Sequence, residues 1–143
     1  MPTARRSPER WAHRNVHYWD ESLKSREEAR EYGAPLATPE GSRAFVKHLS
    51  ETMALGPIVD FQNTLIARKA RGEGFPVPLL LLYAERDPMV PARFGDEFAR
   101  LIPSARLERV REASHFMHVD ALERFAAPAL QFLSSSPAPP RAG

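Results

Sequence analysis

The stretch that most constrains this chain is Pro78-Leu79-Leu80-Leu81-Leu82-Tyr83-Ala84, a short apolar run between a proline and the polar loop 85–91. It is too short for a helix of ordinary length, and polar residues do not alternate within it. Such a run predicts a strand over 78–84 buried on both faces, as in a parallel sheet. Arg106-Leu107-Glu108-Arg109-Val110 does alternate, which predicts a second strand nearer a sheet edge. Residues 92–101 between them carry an amphipathic pattern with Phe94, Phe98 and Leu101 inward, closed by Pro103. Residues 119–133 predict a last helix, with Leu122, Phe125, Ala126, Ala129, Leu130 and Leu133 apolar. Pro128 inside it should bend it or delay its regular start. Strand, helix, strand, helix is a β-α-β-α unit with parallel strands.

The first half has helical patterning and no convincing strand. Ser7-Pro8-Glu9 predicts a helix start, with Ser7 as N-cap and a proline in the first turn. Ser25 and Glu28 have the spacing of a capping box, and Gly33 supplies a helix stop. Thr38-Pro39-Glu40 opens a third helix with Phe45, Leu49 and Met53 at helical spacing, ended by Gly56-Pro57. A fourth helix is expected over 58–70. The division expected is 1–74 as a helical region, 75–133 as the β-α-β-α unit and 134–143 as a disordered tail rich in Ser, Pro and Ala.

Composition removes several classes of function. There is no cysteine, so disulfides, thiol chemistry and thiolate zinc sites are excluded. No apolar run reaches the roughly 20 residues that span a bilayer, and residues 1–10 do not read as a secretory signal. A cytoplasmic location is the default expectation. The net charge of +2 is small, and acidic residues are interspersed among the arginines, so neither nucleic acid nor membrane is an expected partner.

Ligand chemistry in α/β folds sits at the carboxyl ends of the strands. Two polar clusters occupy those positions: Glu85-Arg86-Asp87 after the first strand and Ser114-His115-Phe116 after the second. Asp87 and His115 are the candidate catalytic pair, because a histidine base works best with a carboxylate that orients its ring and stabilises the imidazolium. Taken singly, an aspartate before a proline commonly caps a turn, and a lone histidine is commonly a surface residue. His115 and His118 with Asp120, and the pair His13 and His17, have metal-like spacing, but no ligand set is completed, so no metal or other cofactor is expected.

Residues 77–133 resemble the C-terminal end of the α/β-hydrolase fold. The matching elements occur in order: Leu80-Leu81-Leu82-Tyr83, then Glu85-Arg86-Asp87-Pro88-Met89-Val90-Pro91, then Ile102-Pro103-Ser104-Ala105. Ser114-His115-Phe116 and Leu122-Glu123-Arg124-Phe125 follow. The resemblance implies a partial α/β-hydrolase fold in which Asp87 is the triad acid and His115 the base, with Met89 and Phe116 against substrate. The helical first half, through Thr38-Pro39-Glu40-Gly41-Ser42-Arg43-Ala44-Phe45, is similar to the cap of such enzymes.

The chain departs from that family in one decisive respect. The family nucleophile sits on a G-x-S-x-G elbow, with Asp or Cys sometimes replacing Ser. No serine or aspartate here has a glycine two positions before it. The strands of the sheet's centre and the oxyanion-hole loop are missing as well. The expectation is a truncated or split hydrolase acting on an ester, lactone, epoxide or related bond of a small-molecule substrate. It would be inactive alone and completed by a chain carrying the elbow. The alternative is a non-catalytic module that binds a partner polypeptide.

Overall fold

The computed structural model describes residues 5–135. The chain divides into two compact units, Met1–Gln62 and Asn63–Gly143. It is a mixed α/β protein, mostly helical, with one two-stranded parallel sheet.

The first unit is helical. Helix α1 is Pro8–Asn15, α2 is Arg26–Gly33 and α3 is Pro39–Thr52, with short 3-10 turns at Glu21–Leu23 and Ala34–Ala37. Two of the expected caps are present. Ser25 Oγ accepts the Glu28 N–H at 3.0 Å, and Thr38 Oγ1 accepts the Gly41 N–H at 3.0 Å. Each is worth about 1 kcal/mol. Ser7 stands at its cap position without a side-chain bond. Gly33 ends α2 for a reason other than a left-handed turn. Its backbone is right-handed, and an added Cβ would stand 2.6 Å from the Pro8 carbonyl carbon. The glycine is what lets α2 approach the start of α1. Ala12, Val16, Tyr18, Ala29 and Leu36 form the buried part of this unit, and Trp11 meets Phe45 edge to face at 5.3 Å. Met53, expected on the apolar side of α3, is exposed.

Helix α4, Leu55–Ala70, begins earlier than expected. Gly56-Pro57 lies in its first turn instead of separating two helices. The first N–H groups of a helix have no intrahelical acceptor, so a proline there costs no bond.

The second unit holds strand β1, Leu80–Ala84, helix α5, Arg93–Leu101, strand β2, Arg106–Val110, a short helix α6, Met117–Asp120, and helix α7, Leu122–Ser135. The strands are parallel, with Leu80 opposite Arg106 and Ala84 opposite Val110. Several expectations need correction. β1 starts at Leu80, and only Ala84 of it is buried, so the burial on both faces expected of a central parallel strand is not met. Phe94 stands 36% exposed on α5. The last helix is split at Ala121, whose non-helical backbone turns it into the small core of Ala84, Val110 and Ala113. Leu122, Leu130 and Leu133 of α7 are exposed, whereas α7 runs through Pro128 to Ser135, two residues into the expected tail. The rest of that tail, 136–143, lies outside the described residues.

Gly95 sets the distance between α5 and the sheet. A Cβ there would come within 2.8 Å of Tyr83 Cδ2 and 2.9 Å of Leu107 Cδ1. Among the described residues, no helix is long and apolar enough to cross a membrane.

Candidate functional site

The polar loops after β1 and β2 continue the sheet's pairing past its formal ends. Glu85 N–H donates to Val110 O at 3.0 Å, and the next donor, Arg86 N–H, reaches Ala113 O at 3.2 Å. Consecutive donors therefore skip Arg111 and Glu112, which loop out of the ladder. Glu112 absorbs the detour with a φ of 47°, a left-handed backbone uncommon for a residue with a side chain. Arg124 of α7 holds the loop from outside. Its Nε donates to Arg111 O at 3.1 Å and its Nη2 to Glu112 O at 3.0 Å. Ala113 is then fully buried, and the buried Ser114 hydroxyl donates to Arg86 O at 3.1 Å.

These constraints bring the next residue of each loop together. His115 Nδ1 lies 2.9 Å from Asp87 Oδ2 and 3.1 Å from Oδ1. Asp87 Oδ1 also accepts the backbone N–H of Met89 at 2.7 Å and of Val90 at 2.9 Å. The turn-capping role and the histidine-facing role are thus filled by the same carboxylate. The Asp87 side chain is 11% exposed and that of His115 is 35% exposed, so the acid is sheltered while the ring keeps access to solvent. An Nδ1–H directed at the carboxylate leaves the lone pair of the neutral ring on Nε2, the atom that can take a proton.

The other expected site residues fall out unequally. The Phe116 ring meets the His115 ring edge to face at 5.5 Å and lies 5.8 Å from that of His118. Met89 joins the site through its backbone, while its side chain is exposed. Asp96, a rival acid, is tied to Arg109 at 2.6 Å, and Asp120 belongs to α6. Three serines could be considered as nucleophiles by composition, and each is engaged elsewhere. Ser114 bonds Arg86 O, Ser42 Oγ donates to Leu36 O, and Ser104 Oγ accepts the Phe75 N–H. Among the described residues no cluster of three or more His, Asp or Glu side chains could hold a metal ion. A groove of about 730 Å³ lies in the first unit, lined by Arg5, Arg6, Ser42, Arg43, Val46 and Lys47, and is not the setting of the Asp87–His115 pair.

The sequence places Ser114 in the polar cluster but does not show the contacts that Ser114 and Arg124 make around the pair. The order Ser-His was visible, but nothing local says that the hydroxyl crosses to the Asp87 loop or that an arginine ten residues later reaches back. Comparison with known family models and with curated proteins gives no match for this chain.

Proposed function

We propose that this chain carries the acid–histidine half of a hydrolase centre of the α/β-hydrolase kind. The observation that carries the reading is the contact of 2.9 Å between Asp87 and His115 beyond the carboxyl ends of two parallel strands. Asp87 orients the ring, selects the Nδ1–H tautomer and stabilises the imidazolium. His115 Nε2 takes the proton of a nucleophile as that nucleophile attacks, and returns it to the leaving group. The nucleophile and the oxyanion donors come from a polypeptide outside these 143 residues, joined upstream or supplied as a separate chain. Met89 and Phe116 border the space for a small-molecule substrate carrying an ester, lactone, epoxide or related bond.

The test is covalent labelling. The chain is co-expressed with the polypeptide encoded immediately upstream of Met1 and treated with a fluorophosphonate, which reacts with activated serines. The expected result is labelling of the upstream polypeptide that requires His115 and disappears in His115→Ala. Labelling that is equal with and without His115 would contradict the reading.

The second reading, a non-catalytic module that binds another polypeptide, draws on the exposed apolar residues of α7 and on the single-neighbour strand β1. In that case the upstream polypeptide binds without being labelled.

A further inference from the structure

We infer that Arg124 and Ser114 are positioning residues for the Asp87–His115 pair. The inference rests on the acid–histidine reading of that pair, but its readout needs no turnover. Between Val110, the last residue of β2, and His115 several attachments fix the chain, among them the Glu112 N–H donated to Glu85 Oε2 at 3.5 Å and an Arg124–Glu112 ion pair at 3.6 Å. The Arg124 guanidinium ties down two consecutive carbonyls, Arg111 O at 3.1 Å and Glu112 O at 3.0 Å. A planar fork presents two donors in fixed directions, one to each carbonyl, whereas an ammonium is a compact donor on a flexible stem with no fixed fork geometry. The tie falls at Glu112, the described non-glycine residue with a left-handed φ, a backbone conformation uncommon for a residue with a side chain and so one that neighbouring contacts must hold. Ala113 then packs fully buried against Ala84, Val110 and Ala121, and its carbonyl accepts from Arg86. Last, the Ser114 hydroxyl crosses to Arg86 O, one residue before Asp87.

The consequence is geometric. Asp87 is already locked by the N–H groups of Met89 and Val90, so the distance between acid and ring is set by where the His115 loop lies. Arg124 sets the loop's path and Ser114 sets its separation from the Asp87 loop. Neither side chain touches the His115 ring, so neither is catalytic. Both act on whether Nδ1 keeps its carboxylate.

Nitrogen and proton NMR of the imidazole of His115 tests this, on the full chain. The wild type is expected to hold the Nδ1–H tautomer with a proton that exchanges slowly with water. Arg124→Gln and Ser114→Ala are each expected to speed that exchange about tenfold, the effect of losing one charge-assisted or buried hydrogen bond, and to give a mixed-tautomer spectrum. Backbone amide spectra should stay native. Arg124→Lys keeps the charge and most of the stem, so it keeps the fold if the glutamine variant does not; it is expected to shift exchange and tautomer in the same direction as Arg124→Gln, because its flexible ammonium does not hold the two carbonyls in the fixed geometry of the guanidinium. A folded Arg124 variant with wild-type exchange and tautomer would overturn the inference. If those spectra change as expected while His115→Ala leaves fluorophosphonate labelling intact, the hydrolase reading fails and the positioning role stands.

Discussion

Asp87 meets His115 with both carboxylate oxygens near Nδ1, at 2.9 and 3.1 Å, while the nearer-to-backbone work of capping the 87–90 turn falls on one oxygen alone. One side chain therefore both caps the turn and faces the imidazole, and substitutions can separate the two contacts. Asp87→Asn keeps an oxygen able to accept from Met89 and Val90 and removes the charge. Asp87→Ala removes both. The alanine variant is expected to be less stable than the asparagine variant by about 1 kcal/mol, the usual worth of a lost cap, as read by urea unfolding. Equal stabilities would show that the turn does not depend on the carboxylate.

Gly95 and Gly56 should respond in opposite directions to alanine. At Gly95 a Cβ would press on Tyr83 and Leu107 at less than 3.0 Å, so α5 must lift from the sheet. Gly95→Ala is expected to cost about 1–3 kcal/mol by overpacking. At Gly56, in the first turn of α4, nothing lies within 4 Å, so Gly56→Ala is expected to stabilise by up to about 1 kcal/mol through reduced backbone freedom. Denaturant midpoints of both variants against the wild type check the pair.

Tyr18 predicts a loss of stability in alkali. Burial, first, and then the Glu28 carboxylate that accepts its hydroxyl push the phenol well above the ordinary tyrosine value of 10.0. The folded state thus holds the phenolic proton more tightly than the unfolded state. The stabilisation is complete below about pH 10, where the unfolded phenol is also neutral, and is lost as pH rises through the folded value. Unfolding midpoints measured from pH 8 to 11 should fall above pH 10 in the wild type and more gently in Tyr18→Phe. Equal slopes would contradict this.

Much of the site's layout is legible in the sequence. The run 78–84 announced a strand because it is apolar, short and bounded by turn residues, and the alternation over 106–110 announced its neighbour. Once the two strands lie parallel, Asp87 and His115 follow at the same end. What escaped is what depends on distant contacts or on backbone angles. Gly56-Pro57 reads as a stop by residue type alone, although the same pair is harmless inside a first helical turn. The break at Ala121 comes from burial against Ala84 and Val110, which no local pattern encodes. The φ of Glu112 and the reach of Arg124 are likewise properties of the assembled loops. The two-sided burial expected of β1 is not met: Leu80, Leu81, Leu82 and Tyr83 are half-buried and only Ala84 is buried.

Under the proposed function, His115, oriented by Asp87, acts as general base on a nucleophile supplied by another polypeptide. Hydrolysis of a short-chain nitrophenyl ester tests it most directly. It is measured for the chain alone and with the upstream-encoded polypeptide, in wild type, His115→Ala and Asp87→Asn. Alone, the wild type should be no faster than His115→Ala, because the histidine–aspartate pair has no positioned nucleophile or oxyanion donors beside it. In the complex, the wild type should exceed either variant by about 10³-fold or more, the scale of losing a triad member. A chain that alone turns over ester at least tenfold faster than both variants, or a complex whose rate ignores His115, would contradict it.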